Sequence, residues 1–471
     1  MNRATLYTAA LALLALSACT MAPEYNRPAS PLPTAWPEGP AYQGTTVNPE
    51  KKAVAEIPWR EFILDPRLQQ TIELALANNR DLKISTLNVE KFQAFYQIER
   101  AALVPQLNAN AAGSVLRHPA DLSGTGSSEI RRQYSAGLGV SSYELDLFGR
   151  VRSLKDQALE EYFATEEARR AAQISLIAAV AESYMTLAAD REELALARQT
   201  LESRQTSFDL ITKRYNAGVT SALDLHQAQT LVDGARVQHI QATRRVAQDE
   251  NFLRLLVGAP LPEDLLPEAL GEAVLLQDLS PGVPSESLLL RPDIIAAEHK
   301  LKAANANIGA ARAAFFPRIA LTGTAGFSSA ELSGLFKSGS ETWGFAPQIT
   351  LPIFDGGRNR ANLKVSKLEE EIAVAQYEKA ILIAFREVAD ALAERGTIDE
   401  RLAALQSLTN ATAESARLST IRYDKGADSF LSVQDAQRAL FVAQQNLIIA
   451  RLARLTNLVT LYKVLGGGAS E

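Results

Sequence analysis

Few residues in this chain of 471 are placed for chemistry. Its one cysteine, Cys19, closes the stretch MNRATLYTAALALLALSAC, in which Arg3 gives a positive start and Leu6 to Leu16 an apolar run too short to span a bilayer. That order is the grammar of a secretory signal. With Ser17 and Ala18 directly before the thiol, its end resembles a bacterial lipobox. The chemistry there is acylation of the thiol, so that residues 1–18 are a signal peptide and Cys19 becomes a lipid-bearing N-terminus. Thr20 is not the aspartate that retains lipoproteins at the inner membrane, so the outer membrane is the expected address. The four histidines, His118, His226, His239 and His299, lie far apart with no thiol or carboxylate at ligand spacing. No P-loop, nucleophile elbow or dinucleotide fingerprint stands in a supporting strand and helix context, so no enzyme, metal or cofactor is expected beyond the lipid on Cys19. A net charge of −6 without a basic cluster excludes a nucleic-acid partner.

The other candidate residues lie in a turn that occurs twice. RYNAGVTSALDLHQAQ at 214–229 and RYDKGADSFLSVQDAQ at 422–437 align under one shift of 208 residues, which persists to Gly258 and Gly466. Upstream, IERAALVP (98–105) meets AARAAFFP (310–317), and LDLFGR (145–150) meets LPIFDGGR (351–358). A repeat of this length must be found before any fold is proposed. In each turn a glycine, Gly218 or Gly426, can close one helix in a left-handed cap, and Ser221 or Ser429 can cap the next. Each turn is then the tip of a helical hairpin. Leu223, Phe430 and Leu431 place apolar side chains at tips that should otherwise be solvated, which marks a contact surface.

The elements that position these tips follow from breakers and periodicity. No glycine or proline stands between Gly149 and Gly218, or between Gly426 and Gly466. The first stretch alone predicts a helix on the order of 100 Å long. Leu187, Leu194, Leu201, Phe208 and Tyr215 recur every seventh residue, with Ala197 and Ile211 between them, as a coiled-coil seam. Gly234 and Gly396 interrupt neighbouring helical runs without ending them. Period-two alternation predicts strands at about 106–115 and 133–148 in the first half and 318–327 and 342–354 in the second, each pair enclosing a polar loop. The organisation is a signal peptide (1–18), a proline-rich strap (19–64), a first repeat (65–258) with a hairpin over about 150–257 and tip 215–224, a connecting segment (259–289), a second repeat (290–466) with a hairpin over about 357–465 and tip 423–432, and a tail (467–471). Amphipathic strands with terminal aromatics, and no expected membrane-spanning helix, fit an outer-membrane barrel. Four strands cannot close one, so other copies must complete it. Two copies give a lumen filled by side chains; three give twelve strands around an aqueous opening.

ELDLFGR, ANIGAARAAFFPRIALTG, LPIFDGGRNRANL and the closing LYKVLGGG, in that order, resemble the TolC/OprM family of outer-membrane factors, in its lipidated branch. The likeness covers essentially the whole mature chain. It implies a mixed α/β membrane protein acting as a homotrimer, with a 12-stranded β-barrel in the outer membrane continued by a periplasmic α-helical barrel and an equatorial region. It also implies a periplasmic adaptor and an inner-membrane transporter of the resistance-nodulation-division class as partners, besides outer-membrane lipid. Antibiotics and other small amphiphiles would be the cargo. Carried over residue by residue, Leu431 and Asp435 match the closed periplasmic gate and Tyr423 a latch beside it. Adaptor contacts fall on Gly218, Val219, Ser221, Ala222, Leu223, Gly426, Ser429 and Phe430. A duct for type I protein secretion is the alternative cargo reading, and a non-conducting coiled-coil lipoprotein the alternative class.

Overall fold

The computed structural model describes residues 20–33, 35–43, 54–124, 126–271, 274–277, 279–283 and 287–468. The signal peptide and Cys19 lie outside the described residues, as do parts of the strap, the connecting segment and the tail. Two compact units are distinguishable. One comprises residues 20–29, Asn88–Thr165 and Ala296–Tyr377; the other comprises Ser30–Leu87, Glu166–Ile295 and Glu378 to the C-terminus.

The first unit holds the only sheet among the described residues. It contains β1 (Leu107–His118), β2 (Glu129–Leu145), β3 (Arg318–Ser329) and β4 (Glu341–Thr350), antiparallel and in sequence order. The repeats join edge to edge where β2 pairs with β3, from Tyr134 opposite Ser329 to Leu145 opposite Ile319. This leaves one side of β1 and one side of β4 without a strand. The first hairpin runs further than its alternation predicts, to Pro119, whose missing N–H ends the ladder. At the other end β2 stops at Leu145 rather than Phe148. β4 stops at Thr350 rather than Phe354, because β3 offers partners no further than Arg318 and Pro352 cannot donate. The sheet is a single layer. Trp343, Phe345 and Ile349 are 82%, 63% and 68% exposed, an apolar stripe on β4 that the described residues leave largely uncovered. Within β2 the register shifts between Val140 and Tyr143, and Ser142 takes a positive φ of 56°, a bulge whose amide bonds the Thr322 hydroxyl at 3.2 Å.

The long helices are α1 (Pro66–Asn78), α2 (Arg80–Ala101), α3 (Arg150–Asn216), α4 (Ala222–Val257), α5 (Pro292–Ala313), α6 (Arg358–Asp424) and α7 (Phe430–Val464), beside a single helical turn at Trp59–Phe62 and short 3-10 turns. α3 and α6 are 67 residues each, about 100 Å at 1.5 Å per residue. One 18-residue window of α3 reaches a mean hydropathy of 1.3, apolar enough to cross a membrane, contrary to the expectation of none. More than half of that window is buried, with Leu187 and Ala181 fully enclosed, so its apolarity serves the core. Of the predicted seam, Leu187, Ala197 and Ile211 are buried, whereas Tyr215 at the end is 41% exposed. α2 and α5 precede the strands in each repeat and end in the paired IERAALVP and AARAAFFP segments, the sequence signal of these two helices.

In the second unit, the core gathers around Trp59, Phe62, Leu68, Ile72 and Tyr462, all at most 2% exposed. Tyr462 stacks on Phe62 at 4.1 Å and donates to the Ile57 carbonyl at 2.7 Å. The strap is tied in both units. In the first, Arg27 forks onto Glu298 at 3.1 and 2.7 Å, and Tyr25 donates to the same carboxylate. In the second, Trp36 donates to the Gly282 carbonyl at 2.8 Å and stacks on Phe385. Gly396, inside α6, is the notch over which the strap passes: a Cβ there would strike the Ala41 backbone.

Candidate functional site: the paired hairpin tips

Both tips are built by the same local chemistry. Gly218 and Gly426 take φ of 75° and 72°. The Gly218 and Val219 amides donate to Tyr215 and Arg214 carbonyls, and Gly426 and Ala427 to Tyr423 and Arg422, all at 2.9 Å. This pair of bonds satisfies the last carbonyls of α3 and α6, and only a residue free to adopt positive φ permits it.

Beyond the glycine the two tips diverge. Ser221 Oγ accepts the Asp224 amide at 3.1 Å, while the Asp224 carboxylate accepts the Ser221 amide at 3.4 Å and the Thr220 hydroxyl at 2.7 Å. This is a capping box. The Thr220 hydroxyl, ahead of the Ser221 bonds, holds the Asp224 carboxyl below the usual carboxylate range. Positions 428 and 432, which correspond to 220 and 224, carry Asp and Ser instead. The reciprocal carboxylate of a capping box is therefore missing, and Ser429 itself makes no side-chain cap bond, contrary to expectation. Asp428 turns to Arg422, which grips it with two bonds of 2.6 and 2.9 Å and lowers its pKa.

The apolar residues also separate. Phe430 is 5% exposed: it packs with Val433 of α7 against Ile211, Ala228 and Leu231 of the first hairpin. Its expected place on the exposed tip is therefore corrected, because the seam between the hairpins takes it. Tyr423 lies beside it, ring centres 5.4 Å apart, and Arg214 sits 5.6 Å over the Tyr423 ring while reaching Asp424 at 3.8 Å. Both partners of this salt bridge sit next to the tyrosines of the repeated turn, a placement the sequence shows without disclosing the pairing. Val219, Leu223 and Leu431 remain 74%, 66% and 50% exposed, and Gly218, Ser221, Ala222, Gly426 and Ser429 are exposed with them. Between the tips lies a cleft of about 670 Å³, walled by Arg214, Val219, Asp224, Tyr423 and Asp428. Leu431 and Asp435 stand one helical turn apart on a single exposed face of α7, and Asp435 has Arg438 at 3.6 Å.

The arrangement offers no convergent catalytic groups. It offers two rigid turns, an apolar exposed rim and a carboxylate face. The chain matches the family described as outer membrane efflux protein over residues 71–259 and 283–467. It is 50% identical to a toluene efflux pump outer membrane protein, TtgC, of Pseudomonas putida, over 99% of this chain and 96% of that protein. It is 47% identical to the outer membrane protein OprJ of Pseudomonas aeruginosa, over 98% and 96%. Among solved structures, the open state of the Neisseria gonorrhoeae MtrE outer membrane channel superposes with a TM-score of 0.86 at 42% identity, covering 96% of this chain and 99% of that one.

Proposed function

Because the chain belongs to the outer membrane efflux protein family, we propose that it acts as a homotrimer whose three sheets close a 12-stranded barrel and whose helices continue it as a periplasmic tube. It is an outer-membrane channel, the exit duct of a tripartite efflux system with an adaptor and an inner-membrane transporter. The observation that carries the trimer is the four-stranded sheet with two open edges. Open edges in lipid leave backbone groups unsatisfied, so the edges of β1 and β4 must be paired by other copies. Three copies leave an aqueous opening where two would not. A lipid on Cys19 anchors the chain, and a transporter of the resistance-nodulation-division class drives export of antibiotics and small amphiphiles.

This chain contributes a path and a gate. Three copies of Leu431 and Asp435 ring the axis at the closed periplasmic end, with Leu431 packing offsetting the mutual repulsion of the carboxylates. Tyr423, held by Phe430 and Arg214, latches the second hairpin to the first. The adaptor meets the exposed Gly218, Val219, Ser221, Ala222, Leu223, Gly426 and Ser429, while Phe430 supports that rim from beneath. Gene deletion tests the cargo: drug susceptibility rises and the set of secreted proteins stays unchanged. The reverse pair of results would assign the duct to type I protein secretion.

A further inference from the structure

The four strands carry four arginines, and the two faces of the sheet treat them differently. Side chains alternate along a strand, and directly opposed residues share a face. From exposed Trp343 of β4 the register leads through Ala325 of β3 to Leu138 of β2, and from Ile349 through Ile319 to Leu145. This is the apolar face. Counting in twos from Leu138 towards the turn between β1 and β2, β2 presents Tyr134, Arg132 and Ile130 there, opposite Gly113, Val115 and Arg117 of β1. The Tyr134 ring lies against Gly113 on that face, where an added Cβ would come within 3.2 Å of it.

On the opposite, polar face Arg131 pairs with Glu129 and Arg318 with Glu144, at 2.5 and 2.6 Å. Arg117 and Arg132 are exposed, and among the described residues neither forms an ion pair. The one strand carboxylate on their face is Glu341, which stands on β4, at the other edge of the sheet from Arg117, and accepts the Gly339 amide at 3.0 Å. Arg117 opposes Ile130 and Arg132 opposes Val115, so the two cations are diagonal neighbours with Cβ atoms about 7–8 Å apart. Two unpaired cations at that spacing repel unless an anion lies between them.

Their depth follows from the strand. β2 runs about 11 residues from Leu145, at the helix end, to Tyr134, roughly 36 Å at 3.3 Å per residue and about 28 Å in height at a tilt of 40°. An outer-membrane barrel has an apolar band of about 25 Å flanked by aromatic girdles, so Tyr134 marks its outer margin. Arg132 stands one rung beyond, and Arg117 one rung further. With the helices in the periplasm, that level is the headgroup layer of the outer leaflet.

We propose that Arg117 and Arg132 bind a phosphoryl group of the outer-leaflet glycolipid, lipopolysaccharide. The inference rests on the trimeric barrel of the proposed function, which sets this face towards lipid. Charge and depth choose the occupant: guanidiniums bind phosphate oxygens in bidentate fashion, and the apolar face below them takes acyl chains. Cargo passes on the other, polar side of the sheet.

The test compares the full-length chain, purified in mild detergent, with the double variant Arg117→Gln, Arg132→Gln and with Arg131→Gln, which removes a cation from the opposite face. Each is mixed with purified bisphosphorylated lipopolysaccharide, with the same glycolipid stripped of phosphate, or with phosphatidylglycerol, and bound lipid is counted by native mass spectrometry. The native chain and Arg131→Gln should retain the phosphorylated glycolipid, and the double variant should lose affinity for it about tenfold or more. Neither of the other lipids should be retained above the double variant's level. Equal affinity in all three chains, an equal loss in Arg131→Gln, or equal retention of stripped glycolipid or phosphatidylglycerol would overturn the proposal. So would a double variant that falls apart into monomers, since the guanidiniums would then serve the joint between copies. The barrel reading fails separately, through a native chain that is itself a monomer and does not conduct.

Discussion

Asp249 on α4 shows how a single residue can make this fold sensitive to pH. Burial first, then the hydrogen bond that protonated Asp249 donates to the Asp190 carboxylate of α3 and the charge of that carboxylate, push its pKa up to about 7, against the opposing charge of Arg245. Arg245 is itself drawn to Glu193 and Asp190. The folded pKa lies above the unfolded value of about 3.9, so the folded state binds the extra proton. Stability from this site is therefore fully present below about pH 4 and is lost as pH rises through 7. Asp249→Asn should raise the melting midpoint at pH 8, raise it less at pH 5 and change it little at pH 4, as read by thermal denaturation in detergent. The tips supply a second comparison between residues. Ser221→Ala removes a capping box and should cost about 1 kcal/mol, whereas Ser429→Ala removes no cap bond and should cost well under half of that. Hydrogen exchange of the first turns of α4 and α7 distinguishes the two. The shared Gly and Ser of the repeated turn make the two serines look equivalent; the difference lies at their flanks, where Thr220 and Asp224 stand against Asp428 and Ser432.

At the scale of elements, periodicity and breakers carried most of the information. Two uninterrupted stretches give α3 and α7, while α6 runs through Gly396, and alternation gives the strands. Strand ends were not legible, since each depends on where its neighbour stops, as Thr350 does on Arg318. Nor was the fate of Phe430, whose burial needs the first hairpin, about 200 residues earlier in the chain. The helix glycines illustrate the same limit. Gly234 has open space around its Cβ position, so Gly234→Ala should gain the helix propensity of about 1 kcal/mol. At Gly396 the same change gains as much but drives a methyl into the Ala41 backbone, an overpacking cost of about 1–3 kcal/mol. Gly396→Ala should therefore be neutral to destabilising. Paired melting curves of the two variants test the strap's seat, and a gain at Gly396 equal to that at Gly234 would contradict it.

For the whole molecule, the logic runs from satisfaction of backbone groups to assembly and from assembly to conduction. A sheet with two open edges and an apolar outer stripe is incomplete in lipid by itself. Two tips fixed by glycine caps place one hairpin against the other, and on the second hairpin an apolar side chain and a carboxylate share one face. Composition pointed to none of this; the internal repeat and the four ordered motifs did. The most direct measurement is single-channel conductance of the purified chain, with oligomer mass taken on the same sample, for the native protein and for the double variant Leu431→Ala, Asp435→Ala. The account predicts a trimer with a small native conductance that rises sharply in the variant. A monomer, or equal conductance in the two forms, would contradict a duct sealed at the second repeated turn.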